Sequence, residues 1–294
     1  MLLVSCCGEK GGLFTLDEDT LEIKQVSEID YTGITFSPDG RLYGFSHSLK
    51  SICMYDLGFN TLGSIQVEND FHGLLYSDGG FYAVDTYSDK VWRYEPTTLV
   101  GSIVFDFSDS NILGIKGKGL YHINDVAVKD GFIFFSMFGD TIPTEEERST
   151  KGRPPKSGRV YVKDLQDTDK GFGKLFIDKV TQPHTPIIME DNTVYLCNSR
   201  ESSIVKGRLN YVNKEPIFSS REEIVIDHGF TRGLYVKDNR LFIGISNSVV
   251  RTGTGKFDNV VCGVLILDLL TKEQQFVPLP ANEVYGIIPI NNLR

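Results

Sequence analysis

The chain has 294 residues, of which 40% are hydrophobic, 11% aromatic and 23% charged; this supplies a substantial apolar core and excludes disordered, collagen-like and coiled-coil architectures. Thirty basic residues against 39 acidic ones leave a net charge of −9, which repels nucleic acid and anionic lipid, so neither is an expected partner. No apolar run is long enough to cross a bilayer, the start Met1-Leu2-Leu3-Val4-Ser5 has no basic leader pattern, and the five cysteines lack paired spacing; the expectation is a cytoplasmic protein with reduced thiols.

Residues 2–7, 12–17 and 21–26 read as three successive strands. A hairpin pattern then recurs five times, pairing 33–36 with 42–45, 73–76 with 81–84, 125–128 with 132–135, 187–189 with 194–197, and 233–236 with 241–243. The turns between them carry Asp39-Gly40, Asp78-Gly79, Asp130-Gly131, Asp191-Asn192 and Asp238-Asn239, the residues that tolerate the positive φ of tight hairpins. A third apolar run follows at 51–56, 91–94, 159–162 and 264–268, and a weaker, more polar fourth comes after each. Four antiparallel strands in repeats of roughly 40 to 60 residues are the pattern of a propeller blade.

Residues 284–289, Val284-Tyr285-Gly286-Ile287-Ile288-Pro289, repeat the inner-strand pattern with no hairpin partner after them. The N-terminal strands have no inner strand before them, so one blade built from both ends closes the ring and removes free sheet edges. The prediction is an all-β, six-bladed propeller spanning residues 1–294 as a single domain. A β-sandwich does not explain why a lone C-terminal strand copies the inner-strand pattern.

This regularity resembles the six-bladed propellers of the NHL, gluconolactonase and strictosidine-synthase-like group over the whole chain. More locally, Tyr121-His122-Ile123-Asn124-Asp125-Val126, Pro183-His184-Thr185-Pro186 and Gly229-Phe230-Thr231-Arg232-Gly233 look like motifs of a bacterial propeller family without an assigned reaction. The likeness implies a fold; lyase and lactonase members of related groups bear on chemistry by analogy only.

In such a blade the links from strand one to two and from three to four share one face. The first of these links are all tight turns here, whereas the other face receives segments 106–120, 139–157 and 247–261 and is the expected functional face. His47, His72, His122, His184 and His228 all map to it, four of them at the entries of successive blades. Two readings of these imidazoles stand: a divalent metal site (Mn, Zn or Ca) on His72, His122, His184 and His228, or a polar plug bonded to neighbouring backbone.

Aligning the strand entries adds a ring of one non-aliphatic residue per blade: Thr32, His72, Asn124, Thr185, Arg232 and Tyr285. Arg232 predicts an acidic ligand, or else an internal ion pair with Asp30, Asp70, Asp125, Asp227 or Glu283. The functional expectation is an enzyme of metal-assisted lyase or hydrolase type acting on a small acidic metabolite or sugar acid. In it His72, His122, Tyr285 and Asp70 carry acid–base work, and Arg232, Asn124, Thr185, Thr32 and Glu283 hold the substrate. The alternative is a non-catalytic propeller binding a peptide, glycan or protein partner through loops 139–157 and 247–260, with exposed aromatics at Phe138 and Phe257 and a plugged channel. Cys6-Cys7 is read as inert rather than nucleophilic, Ile115-Lys116-Gly117-Lys118 as a loop rather than a phosphate cradle, and Trp92 as interblade packing.

Overall fold

A computed structural model of the chain describes residues 1–8, 10–108, 119–139, 156–169, 171–226, 228–247 and 260–290. It holds six four-stranded antiparallel sheets. Blade 1 comprises Ile34–Phe36, Leu42–Ser46, Ser51–Tyr55 and Thr61–Gln66; blade 2 comprises Phe71–Ser77, Gly80–Asp85, Lys90–Tyr94 and Gly101–Asp106. Blade 3 runs through Ile123–Lys129, Phe132–Met137, Gly158–Asp164 and Lys174–Val180, and blade 4 through Pro183–Ile188, Thr193–Asn198, Ser203–Val212 and Glu215–Val225. Blade 5 is Phe230–Lys237, Arg240–Ser246, Gly263–Asp268 and Gln274–Pro278. In blade 6, Glu283–Pro289 is the inner strand beside Leu2–Cys7, Gly12–Leu16 and Ile23–Ser27, so the two ends of the chain close the ring as the sequence predicts.

The hairpins form where the turn chemistry placed them. Asp78-Gly79 and Asp130-Gly131 both hold two consecutive positive φ angles, 52° and 73° in one and 51° and 82° in the other. This is the mirror-image turn whose twist matches that of the flanking strands. The sequence reading missed the length of the outer hairpin of blade 4, whose strands run 10 and 11 residues, because Ser203–Val212 alternates apolar and polar residues too loosely to stand out.

The core lies between blades, not within them. Six clusters of buried apolar residues each straddle two neighbouring sheets. Successive strand residues point to opposite faces, so Phe134 joins the cluster shared with blade 4 while Phe135 joins the one shared with blade 2. A strand with a neighbour on both faces must be apolar on both. This is why Leu2–Cys7 is buried at every position and reads as a continuous apolar run.

Candidate functional site

The inner strands carry the ring of residues expected from the sequence, and their backbone explains how. In five blades the ladder between the first and second strands slips at that residue: pairing jumps from Phe71 to Leu74, from Ile123 to Asp125, from His184 to Ile187, from Thr231 to Leu234, and across Tyr285. Blade 1 shows the same two-against-one pattern, since Thr32 N–H donates to the Phe45 carbonyl and Phe45 N–H donates to the Gly33 carbonyl. A β-bulge places an extra residue on one strand and re-aims its side chain. Repeated around the ring, it brings His72, Asn124, Arg232 and Tyr285 into mutual contact at the axis.

Arg232 is the hub. Its guanidinium carbon lies 3.3 Å from the Tyr285 ring centroid, Nη2 is 3.4 Å from His72 Nδ1, and Nη1 is 3.7 Å from Glu283 Oε2. Asn124 Nδ2 donates to the His122 carbonyl at 3.0 Å, which turns Oδ1 toward His72 Nδ1 at 3.3 Å. Thr32 donates to the Phe71 carbonyl, and Thr185 Oγ1 accepts from Gly233 N–H at 3.3 Å. Arg232 therefore meets the internal carboxylate of Glu283, the ion-pair alternative, and its partners form a polar septum across the channel. Of the other acids weighed for it, Asp30 is engaged by Ser46 and Ser48, and Asp227 lies outside the described residues.

His184 is buried and fixed. Its Nδ1 is 3.0 Å from the Gln182 carbonyl, which can only accept, so Nδ1 carries the proton and Ser199 Oγ lies 2.8 Å away on the same side. Burial, reinforced by the charges of Arg232, His72 and His122, holds this imidazole well below its ordinary pKa, so it is neutral at pH 7 with the lone pair on Nε2. Asp70 accepts from His47 at 3.3 Å and Lys50 at 3.5 Å and lies 3.8 Å from His72 Nε2. Burial alone would raise this carboxyl, but those hydrogen bonds and charges outweigh it and hold it far below the usual range. In this structure it stands as a counter-ion to His47, Lys50 and His72.

The four-histidine metal set does not form. Among the described residues no three His, Cys, Asp or Glu side chains come together as ion ligands. Phe138 is the reason on one side: it stacks on His122 at 4.2 Å and stands edge-on to His184 at 5.4 Å, an apolar ring wedged between the two imidazoles. On the other side the Arg232 guanidinium faces His72 Nδ1, where it opposes a cation. His228 is exposed, its Nδ1 lies 2.9 Å from the Ile226 carbonyl, and its ring faces Phe276 of the outer strand of blade 5, away from the ring. Phe138, expected as an exposed aromatic of the partner-binding alternative, is instead half-buried against His122 and His184; Ser199 was not legible from the sequence, because it belongs to no inner-strand motif.

The septum presents different residues to the two ends of the channel. A cavity of about 210 Å³ on the tight-turn side is lined by Thr32, His72, Asp125, Thr185 and Tyr285 at its polar end, whereas Arg232, Glu283, His122 and His184 do not border it. Segments 140–155 and 248–259, including Phe257, and residues 109–118 lie outside the described residues. All five cysteines are buried free thiols, and burial pushes Cys6 well up and Cys262 to about 12, consistent with inert thiols. Trp92 packs against the core shared by blades 1 and 2.

No protein-family model and no curated protein matches this chain. Solved structures do. A structure described as a nidogen/laminin complex is 12% identical, covers 97% of this chain and 96% of its own, and superposes with a TM-score of 0.67. The calcium-binding protein regucalcin of Agrobacterium tumefaciens is 13% identical over 87% of this chain and 76% of its own, with a TM-score of 0.59. A putative gluconolactonase is 13% identical over 86% and 80%, with a TM-score of 0.58. At these identities the likeness is one of fold: the chain is a six-bladed β-propeller, as its six four-stranded sheets show. Among the described residues no helix is long and apolar enough to cross a membrane.

Proposed function

We propose that the protein is an enzyme acting on a small acidic metabolite or sugar acid at the His122–His184 side of the septum, by metal-free acid–base chemistry of hydrolase or lyase type. The observation that carries this reading is His184: a buried imidazole, neutral at pH 7, locked in one tautomer by Gln182 and Ser199 and adjacent to a buried guanidinium. The positive field of Arg232 weakens His184 as a base in the free protein. A bound anion offsets that field and raises the basicity of Nε2 when substrate is in place. Arg232 then orients the acidic group while remaining on Glu283 and Tyr285. Among the described residues no three metal-ligating side chains come together, so this reading takes no step through a divalent ion. The neighbours named regucalcin and gluconolactonase bear on the reading only through their shared fold.

The test is a turnover screen of aldonolactones, sugar acids and their dehydration substrates on the full chain treated with chelator, followed by His184→Gln. A hit whose rate falls by about 10²-fold or more in His184→Gln, with the fold intact by circular dichroism, supports the reading. A hit unchanged by that substitution, or one abolished by chelator, overturns it.

A further inference from the structure

The cavity on the tight-turn side is not lined by Arg232, Glu283, His122 or His184, the residues of the reading above. Its walls are apolar, with Ile34, Leu74, Val126, Ile187, Leu234 and Ile287 around the axis. Its mouth lies at the ends of the inner strands, where Leu75, Ile288 and Pro289 are half-exposed. One carboxylate, Asp125, stands at the closed end. Asp125 is surrounded by protein but keeps part of its surface open to this space, and its Oδ1 accepts from Val126 N–H at 3.1 Å.

Arg232 pairs with Glu283 at 3.7 Å and lowers the Asp125 carboxyl through its field. Asp70 is met by Lys50, His47 and His72. Burial dominates at Asp125 and pushes it up to about 6 despite hydrogen bonds from Val126 and Thr185 and the field of Arg232. An apolar cavity with one carboxylate among its lining residues is complementary to an apolar body with a cationic head.

We propose that this cavity binds a small apolar amine, its hydrocarbon body between Leu74, Val126, Ile187 and Leu234 and its ammonium on Asp125. Size sets the upper bound. An engineered apolar cavity of about 150 Å³ holds benzene, so about 210 Å³ takes one six-membered ring with a short aminoalkyl chain, or a branched aliphatic amine. A carboxylate ligand is excluded by Asp125 itself, and a polyhydroxylated ligand would leave its hydroxyls without partners along the apolar wall.

The experiment uses the full chain and three isosteric probes, 2-phenylethylamine, 2-phenylethanol and phenylacetate, titrated by ligand-observed NMR at pH 7.5. The expected result is amine binding about ten-fold or more tighter than the alcohol, with no phenylacetate binding. Asp125→Asn, which keeps an acceptor for Val126 N–H, should reduce the amine to the level of the alcohol. Leu75→Trp, at the mouth, should exclude both, and His184→Gln should leave the amine affinity unchanged, which separates this site from the one on the other side. Amine affinity no better than that of the alcohol, affinity insensitive to Asp125→Asn in a folded variant, or no amine binding up to about 10 mM overturns the proposal.

Discussion

Arg232 lies over the ring of Tyr285, with its guanidinium carbon 3.3 Å from the ring centroid, and the two side chains come from inner strands of adjacent blades. Both are bulged residues, buried to 3% and 5% exposure, so the contact joins blade 5 to blade 6 at the axis as well as through their shared core. Blade 6 is the one assembled from the two ends of the chain. The pair therefore sits at the closure of the ring.

Replacing Arg232 with Met removes the guanidinium but leaves Glu283 buried. The loss should be about 3 to 5 kcal/mol, because an uncompensated buried carboxylate costs more than the ion pair contributed. The double variant Arg232→Met with Glu283→Gln should recover a large part of it. Urea unfolding of the three proteins measures this, and equal stability of the single and double variants would show that Glu283 is not the partner that matters.

Asp89 gives a pH signature. It is fully buried, Oδ2 accepts from Tyr121 N–H at 3.2 Å, and burial raises its pKa from 3.8 to about 6 despite backbone hydrogen bonds. An acid with a raised folded pKa binds more protons when folded than when unfolded between those two values. Its contribution is therefore greatest below pH 3.8 and is lost as pH rises to about 6. Asp89→Asn abolishes that dependence, so the stability of the variant relative to the parent should grow by about 2 kcal/mol between pH 4 and pH 7. Parallel stability curves for the two proteins across that range would contradict it.

His184 acts in the opposite sense. Its folded pKa is depressed, so the unfolded state binds more protons as pH falls below about 6.5, and stability should decline on acidification from pH 7. His184→Gln should flatten that limb. Comparing thermal midpoints at pH 5.5 and 7.5 checks the direction.

Gly244 faces the Arg232–Gly233 bulge across the ladder. A Cβ there would collide with the Arg232 carbonyl oxygen and would lie 2.5 Å from Val284 Cγ1. Gly244→Ala should cost about 1 to 3 kcal/mol by forcing the bulge apart, and it should disturb Arg232 along with overall stability. The control is His228→Ala, an exposed position away from the septum, which should stay within about 0.5 kcal/mol of the parent.

Isothermal titration with Mn²⁺, Zn²⁺ and Ca²⁺ tests the four-histidine metal site expected from the sequence. Phe138 between His122 and His184, and Arg232 on His72, predict that His72→Ala and His184→Ala leave any observed binding heat unchanged. A stoichiometric heat lost in both variants would restore that site.

The sequence by itself determined the blade count, the hairpins and the closure of the ring, because these rest on local turn chemistry and on a strand pattern that repeats. It also located the axial ring of Thr32, His72, Asn124, Thr185, Arg232 and Tyr285, since residues at equivalent positions of equivalent strands must converge when the ring closes. What those side chains do to one another was decided only in three dimensions. The bulges that aim them, the Phe138 ring that parts His122 from His184, the choice of Glu283 for Arg232 and the departure of His228 to the rim all depend on contacts between residues tens to hundreds of positions apart. Side-chain direction at a bulge and pairing among several possible carboxylates are set by the packing of neighbouring blades, and no single blade's sequence contains that information.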